Sequence, residues 1–138
     1  MLEKILEDHA LWFRTQGREG ERAVLHGVDL AHAVLKRATL VEADMTGASF
    51  DHADLSEADC RGANFFDSSF KSACLAGANC DEVDMTFADL TEADLTGTRL
   101  RGAYLQGADL SHSRGLKREQ IADAFIDEMT QLPDFSSP

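Results

Sequence analysis

From Ala23 to His112 an apolar residue returns at every fifth position for eighteen consecutive units. The centres are Leu25, Leu30, Leu35, Leu40, Met45, Phe50, Leu55, Cys60, Phe65, Phe70, Leu75, Cys80, Met85, Leu90, Leu95, Leu100, Leu105 and Leu110. Two places before each centre stands Ala in fourteen of the eighteen units; Val28, Ser68, Val83 and Thr98 are the exceptions. Asp or Asn often precedes the centre, as at Asp54, Asp59 and Asn64. Gly recurs two places after it, as at Gly47, Gly62, Gly77, Gly97, Gly102 and Gly107.

This beat excludes both standard elements. Five residues of α-helix turn by about 500°, so successive centres would land about 140° apart and form no face. A flat strand has a side-chain period of two, and an odd step would send every second centre outward. The pattern is satisfied by a chain that turns a corner in every unit, always in the same sense, with Ala and the centre pointing inward. Stacked coils of this kind pair their backbone groups from one coil to the next. A longer beat suggests the size of a coil: Phe50 and Phe70, like Cys60 and Cys80, are twenty residues apart, and Met45 and Met85 are forty apart. Four units to a coil would stack these like residues.

The runs Ala53-Asp-Leu-Ser-Glu, Ala58-Asp-Cys-Arg-Gly, Ala63-Asn-Phe-Phe-Asp, Ala88-Asp-Leu-Thr-Glu and Ala93-Asp-Leu-Thr-Gly resemble the pentapeptide repeat family, whose loose consensus is A-[D/N]-[L/F]-x-x. The resemblance implies an all-β solenoid, a right-handed quadrilateral β-helix with a narrow filled interior. Eighteen units at four per coil give about 4.5 coils, a tower roughly 21 Å tall at about 4.8 Å per coil. The expected organisation is one domain in three parts: a capping helix and linker over 1–22, the β-helix over 23–112, and a C-terminal helix and tail over 113–138.

Both ends of a solenoid need covering. Leu2, Ile5, Leu6, His9, Trp12 and Phe13 share one helical face, with Gly17 as its stop. The helix is expected over the first coil, Trp12 and Phe13 covering its open end and His9 serving as a structural histidine. His9-x-x-Trp12-Phe13, Gly17, Gly20 and Arg22-Ala23 are similar to the leader of many bacterial family members. After His112, Leu116, Ile121, Ala122, Phe125, Ile126 and Met129 again have helical spacing, up to Leu132-Pro133. Ile121, Phe125, Ile126 and Met129 would form the face that caps the tower or joins a second copy. Gly115 to Gln120 and Asp127 to Pro133 resemble a recurrent tail of the family, in which Thr usually stands where this chain has Lys117. That change removes an N-cap hydroxyl. Asp134 to Pro138 read as a frayed end.

Composition narrows the function. Twenty-five acids against thirteen Lys and Arg give a net charge of −12, which opposes nonspecific binding to nucleic acid and suits a basic partner. No apolar run is long enough to cross a membrane. The N-terminus carries acids within its apolar pattern and no small-residue cleavage site, unlike a signal peptide. Cys60, Cys74 and Cys80 read as reduced thiols of a cytoplasmic protein. Without C-x-x-C or H-x-x-x-H spacing, no metal and no cofactor are expected. The row Asp44, Asp54, Asp59, Asp84, Asp89 and Asp94 reads as turn chemistry, and His32, His52 and His112 as surface residues. With no nucleophile–base set, the chain reads as a non-enzymatic scaffold for an unknown protein partner. Its candidate contact surface is Phe66, Phe87 and Tyr104, which fall on one side of successive coils. A homodimer through this patch or the C-terminal helix is a further expectation. The resemblance implies an alternative: some relatives imitate DNA, bind type II topoisomerases (DNA gyrase or topoisomerase IV) and alter fluoroquinolone sensitivity. Fifteen acids minus six bases between Ala23 and His112, a balance of −9, agree with it.

Overall fold

The computed structural model describes residues 1–136. From Val24↔Asp44 to Asp94↔Arg114, every parallel bridge joins residues twenty apart. Four five-residue units therefore complete one coil, each supplying one bridging residue and one corner, so no long strand forms. The pairing is systematic. Leu55 N–H donates to Cys74 O on the next coil (2.8 Å), and Cys74 N–H donates back to Ala53 O (2.9 Å). These inter-coil bonds satisfy backbone groups that the filled interior would otherwise strand.

Corners place a left-handed residue two places after every centre from Leu25 to Leu105. Glycine supplies it at Gly47, Gly62, Gly77, Gly97, Gly102 and Gly107; elsewhere ordinary residues accept it, from His32 (φ 64°) to Glu92 (φ 61°). A long corner side chain commonly lies over a corner glycine one coil on. A Cβ at Gly62, Gly77 or Gly102 would meet Cγ of Glu42, Glu57 or Glu82 at 3.3–3.4 Å, and one at Gly107 would collide with the Phe87 ring.

Every centre is buried except Leu25, which is half-buried in the first coil. Phe50 and Phe70 stack at 4.8 Å, with Phe65 edge-on to both at 5.3 and 5.2 Å. Where Ser68 and Thr98 replace the inner alanine, their hydroxyls donate to Met45 O (3.0 Å) and Leu75 O (2.7 Å). The core accepts these polar groups because both are satisfied.

Helix α1, Leu2–Arg14, lies against the first coil. Leu2, Ile5 and Leu6 pack on the core. His9 is fully buried and knits the helix to the tower. Its Nε2–H donates to Val41 O (2.8 Å), and its Nδ1 accepts Ala23 N–H (2.9 Å). Trp12 stacks on the His9 ring at 5.4 Å. Phe13 departs from the expected covering role. It occupies the last helical turn and is 38% exposed, with the Arg61 guanidinium 5.9 Å from its ring. Gly17 N–H closes the helix end on Trp12 O (2.8 Å).

The expected C-terminal α-helix does not form. Its place is taken by a four-residue 3-10 turn, Arg118–Ile121, and the chain then rejoins the tower through Tyr104↔Phe125 and Asp109↔Gln131. Leu105 N–H donates to Phe125 O and Leu110 N–H to Gln131 O. The last regular coil leaves those donors open, and pairing them outweighs the helical propensity of an apolar pattern whose Leu116, Ile121 and Ile126 also keep a five-residue step. Of the residues assigned to the helical face, Ile121 is buried, whereas Phe125, Ile126 and Met129 are exposed. Gln120 anchors the tail: its Oε1 accepts Lys117 N–H (2.7 Å), and its Nε2 donates to Leu95 O and Thr98 O. Of the residues expected to fray, Ser137 and Pro138 lie outside the described residues, and Phe135 packs against the core.

Candidate interaction surface

One wall of the tower carries the centres Leu25, Met45, Phe65, Met85 and Leu105. Its outward column of bridging residues runs Val24, Asp44, Asn64, Asp84, Tyr104 and Phe125. Phe66 follows a centre, and Phe87 stands at a corner of the same wall with φ 63°. The structure brings these aromatic residues into pairs: Phe66 meets Phe87 edge to face at 5.7 Å, and Tyr104 stacks on Phe125 at 5.0 Å. All four remain 38–53% exposed. In the terminal segment Ile126, Met129 and Leu132 are exposed as well.

Phe125 was invisible as a member of this surface while its segment read as a helix. The signal lay in its position twenty-one residues after Tyr104, one more than a coil. Phe87 is the costliest member: a bulky side chain in the left-handed region sacrifices about 1–2 kcal/mol.

Five carboxylates share the wall, Asp44, Asp67 and Asp84 with Asp127 and Glu128 of the terminal segment, and it carries no Lys or Arg. The basic side chains of the coils sit on other sides, where Arg37 pairs with Glu57 (2.9 Å), Arg61 with Asp59 (2.7 Å) and Arg99 with Asp81 (2.8 Å). Partial burial raises the Asp44 carboxyl, but hydrogen bonds from His26 and Thr46 outweigh it and hold the group below the usual carboxylate range.

The aspartate row forms turns. Asp54, Asp89 and Asp94 each accept the N–H and the hydroxyl of the residue two places on. For Asp54 and Asp94 the hydroxyl bond is the main cause of a lowered carboxyl pKa. His32 and His52 stack at 5.0 Å with rings nearly parallel, and both are exposed. Among the described residues, no three His, Cys, Asp or Glu side chains converge as a metal site would require. Cys60 and Cys80 are buried neighbours; the hydrogen bond that the neutral Cys60 thiol donates to Cys80, together with burial, pushes the Cys60 thiol well above its ordinary range.

The family model for pentapeptide repeats matches residues 21–56, 43–79 and 78–114, in 8 copies. The chain belongs to the pentapeptide repeat family. The right-handed quadrilateral β-helix is the fold of this family. A pentapeptide repeat protein of Nostoc PCC 7120 has a similar structure, with a TM-score of 0.62 and 19% identity over 94% of this chain and 95% of that one. Another, from the Arabidopsis thaliana thylakoid lumen, gives a TM-score of 0.56 and 28% identity over 68% and 72%. The plasmid-mediated fluoroquinolone resistance protein QnrB1, in a trypsin-treated form, gives 0.44 and 21% over 79% and 72%. No curated protein sequence matches the chain. Pentapeptide repeat proteins are generally structural or interaction proteins.

Proposed function

We propose that this pentapeptide repeat protein is a non-enzymatic interaction scaffold whose contact surface is the aromatic wall. The observation that carries the reading is that four aromatic side chains, Phe66, Phe87, Tyr104 and Phe125, stand half-exposed on one side of a rigid tower. A ring kept at such a position contributes less to the core than a buried one and is available to a partner. Inter-coil hydrogen bonds fix the backbone beneath them, so little ordering cost accompanies binding. Affinity capture from the source cells tests this. Wild-type protein should retain a partner that the Phe66→Ser/Phe87→Ser variant loses, with melting temperatures showing both folded. Equal capture by the two forms would remove the reading.

A second reading, DNA mimicry toward a type II topoisomerase, rests on the −9 balance of the repeat block, fifteen acids against six bases. Supercoiling by purified DNA gyrase or topoisomerase IV, with and without a fluoroquinolone, separates the two. Neither inhibition nor protection at micromolar protein would dismiss mimicry.

A further inference from the structure

The charge on the aromatic wall points to the chemistry of the partner. Building on the scaffold reading, we infer that the wall binds a basic protein segment in which Arg or Lys side chains alternate with apolar anchors. Two independent observations carry this. The wall is acidic: Asp44, Asp67, Asp84, Asp127 and Glu128 lie on it with no Lys or Arg, whereas carboxylates on the other sides hold Arg37, Arg61 and Arg99 in ion pairs. His26 is the wall's one titratable base, and it is already bonded to Asp44 (2.7 Å).

The rings provide the second half of the complementarity. Phe66, Phe87, Tyr104 and Phe125 are each 38–53% exposed, and a guanidinium over an aromatic face gains from the ring quadrupole while its charge stays near a carboxylate. The protein already makes this contact internally: the Arg61 guanidinium lies 5.9 Å from the Phe13 ring and that of Arg118 lies 4.9 Å from Phe135. An acidic segment would be repelled by the five carboxylates, and a purely apolar one would gain nothing from their charge.

The test uses the full chain and a fluorescein-labelled fifteen-residue peptide of alternating Arg and Leu, with isosequential controls carrying Ser or Glu in place of Arg. Fluorescence anisotropy at low and moderate salt reads affinity. The inference expects the Arg peptide to bind, its affinity to fall with salt, and the Glu peptide not to bind. Phe87→Ser/Tyr104→Ser should weaken binding at least tenfold. Asp67→Asn/Asp84→Asn should weaken it several-fold, while Glu57→Gln on another side changes it less than twofold. Equal effects of Glu57→Gln and Asp67→Asn/Asp84→Asn would overturn it, because the attraction would then be diffuse. Ring-dependent binding of the Ser peptide as tight as that of the Arg peptide would also overturn it, leaving the scaffold reading intact. Should sedimentation show a dimer that Phe87→Ser/Tyr104→Ser dissociates, the occupant is a second copy and the basic-segment inference falls. If the ring substitutions change neither peptide binding nor cellular capture, both readings fall together.

Discussion

Replacing His9 by Phe tests how α1 is fastened to the tower. The imidazole is fully buried, and its two nitrogens are committed, one donating to Val41 O (2.8 Å) and one accepting Ala23 N–H (2.9 Å). Phe fills a similar volume but leaves both buried backbone groups unpaired. Each orphan costs about 1–3 kcal/mol, so the substitution should destabilise the protein by about 3 kcal/mol, offset in part by the greater hydrophobicity of Phe. Urea unfolding followed by circular dichroism at neutral pH measures this. The same geometry sets a pH dependence. Burial, more than any other factor, lowers the His9 pKa, because protonation would break the Ala23 bond and bury a charge. Above the unfolded value of about 6.5 the stabilisation is complete. As pH falls below that value the unfolded chain takes up the proton first, and stability drops by up to about 1.4 kcal/mol per pH unit until the folded pKa is reached. The lowered carboxylates Asp54 and Asp94 act in a separate window: their contribution is present above about pH 4 and is lost below it. The wild-type slope between pH 6.5 and 5 should therefore vanish in His9→Phe. A loss of under about 1 kcal/mol, or an unchanged slope, would refute the two-nitrogen latch.

Three other substitutions and one labelling experiment check the fold. Gly20→Ala should destabilise by more than about 2 kcal/mol, because its Cβ would collide with Asp8 O and lie 2.8 Å from Trp12 N. Gly27→Ala, with open space around it, should cost only the left-handed strain of about 1 kcal/mol; paired thermal melts compare them. Thr98→Val should cost about 1 kcal/mol by denaturant titration, since Leu75 O keeps its bond from Ala78 N–H (3.0 Å). In the native protein a thiol reagent should modify Cys74 first and spare the buried Cys60 and Cys80, as mass spectrometry of the labelled peptides can show.

What the sequence made legible follows from how the fold repeats. A centre such as Phe65 or Cys60 is inward because its neighbours one coil away, Met45 and Met85 or Leu40 and Cys80, obey the same rule, so one period specifies many contacts. The spacing of Phe66, Phe87 and Tyr104 modulo twenty likewise placed them on one wall. The tail was misread because Leu116, Ile121, Phe125 and Ile126 fit a helix as well as a slipped five-residue beat, and only the open N–H groups of the preceding coil decide between them. Phe125 was lost from the surface for the same reason. The stacking of Glu42, Glu57, Glu82 and Phe87 over glycines one coil on is a three-dimensional consequence that no local window contains. His9 was legible as structural, but its second partner, Val41 O, lies thirty-two residues away.

The scaffold account stands most directly on where a partner touches the tower. Hydrogen exchange of the captured complex, read by mass spectrometry against the free protein, locates that contact. The account predicts added protection in peptides spanning 64–67, 84–87, 104–107 and 125–128, with the walls around Arg37 and Arg99 unchanged. Protection centred on those other walls, with the aromatic wall exchanging as it does in the free protein, would contradict it.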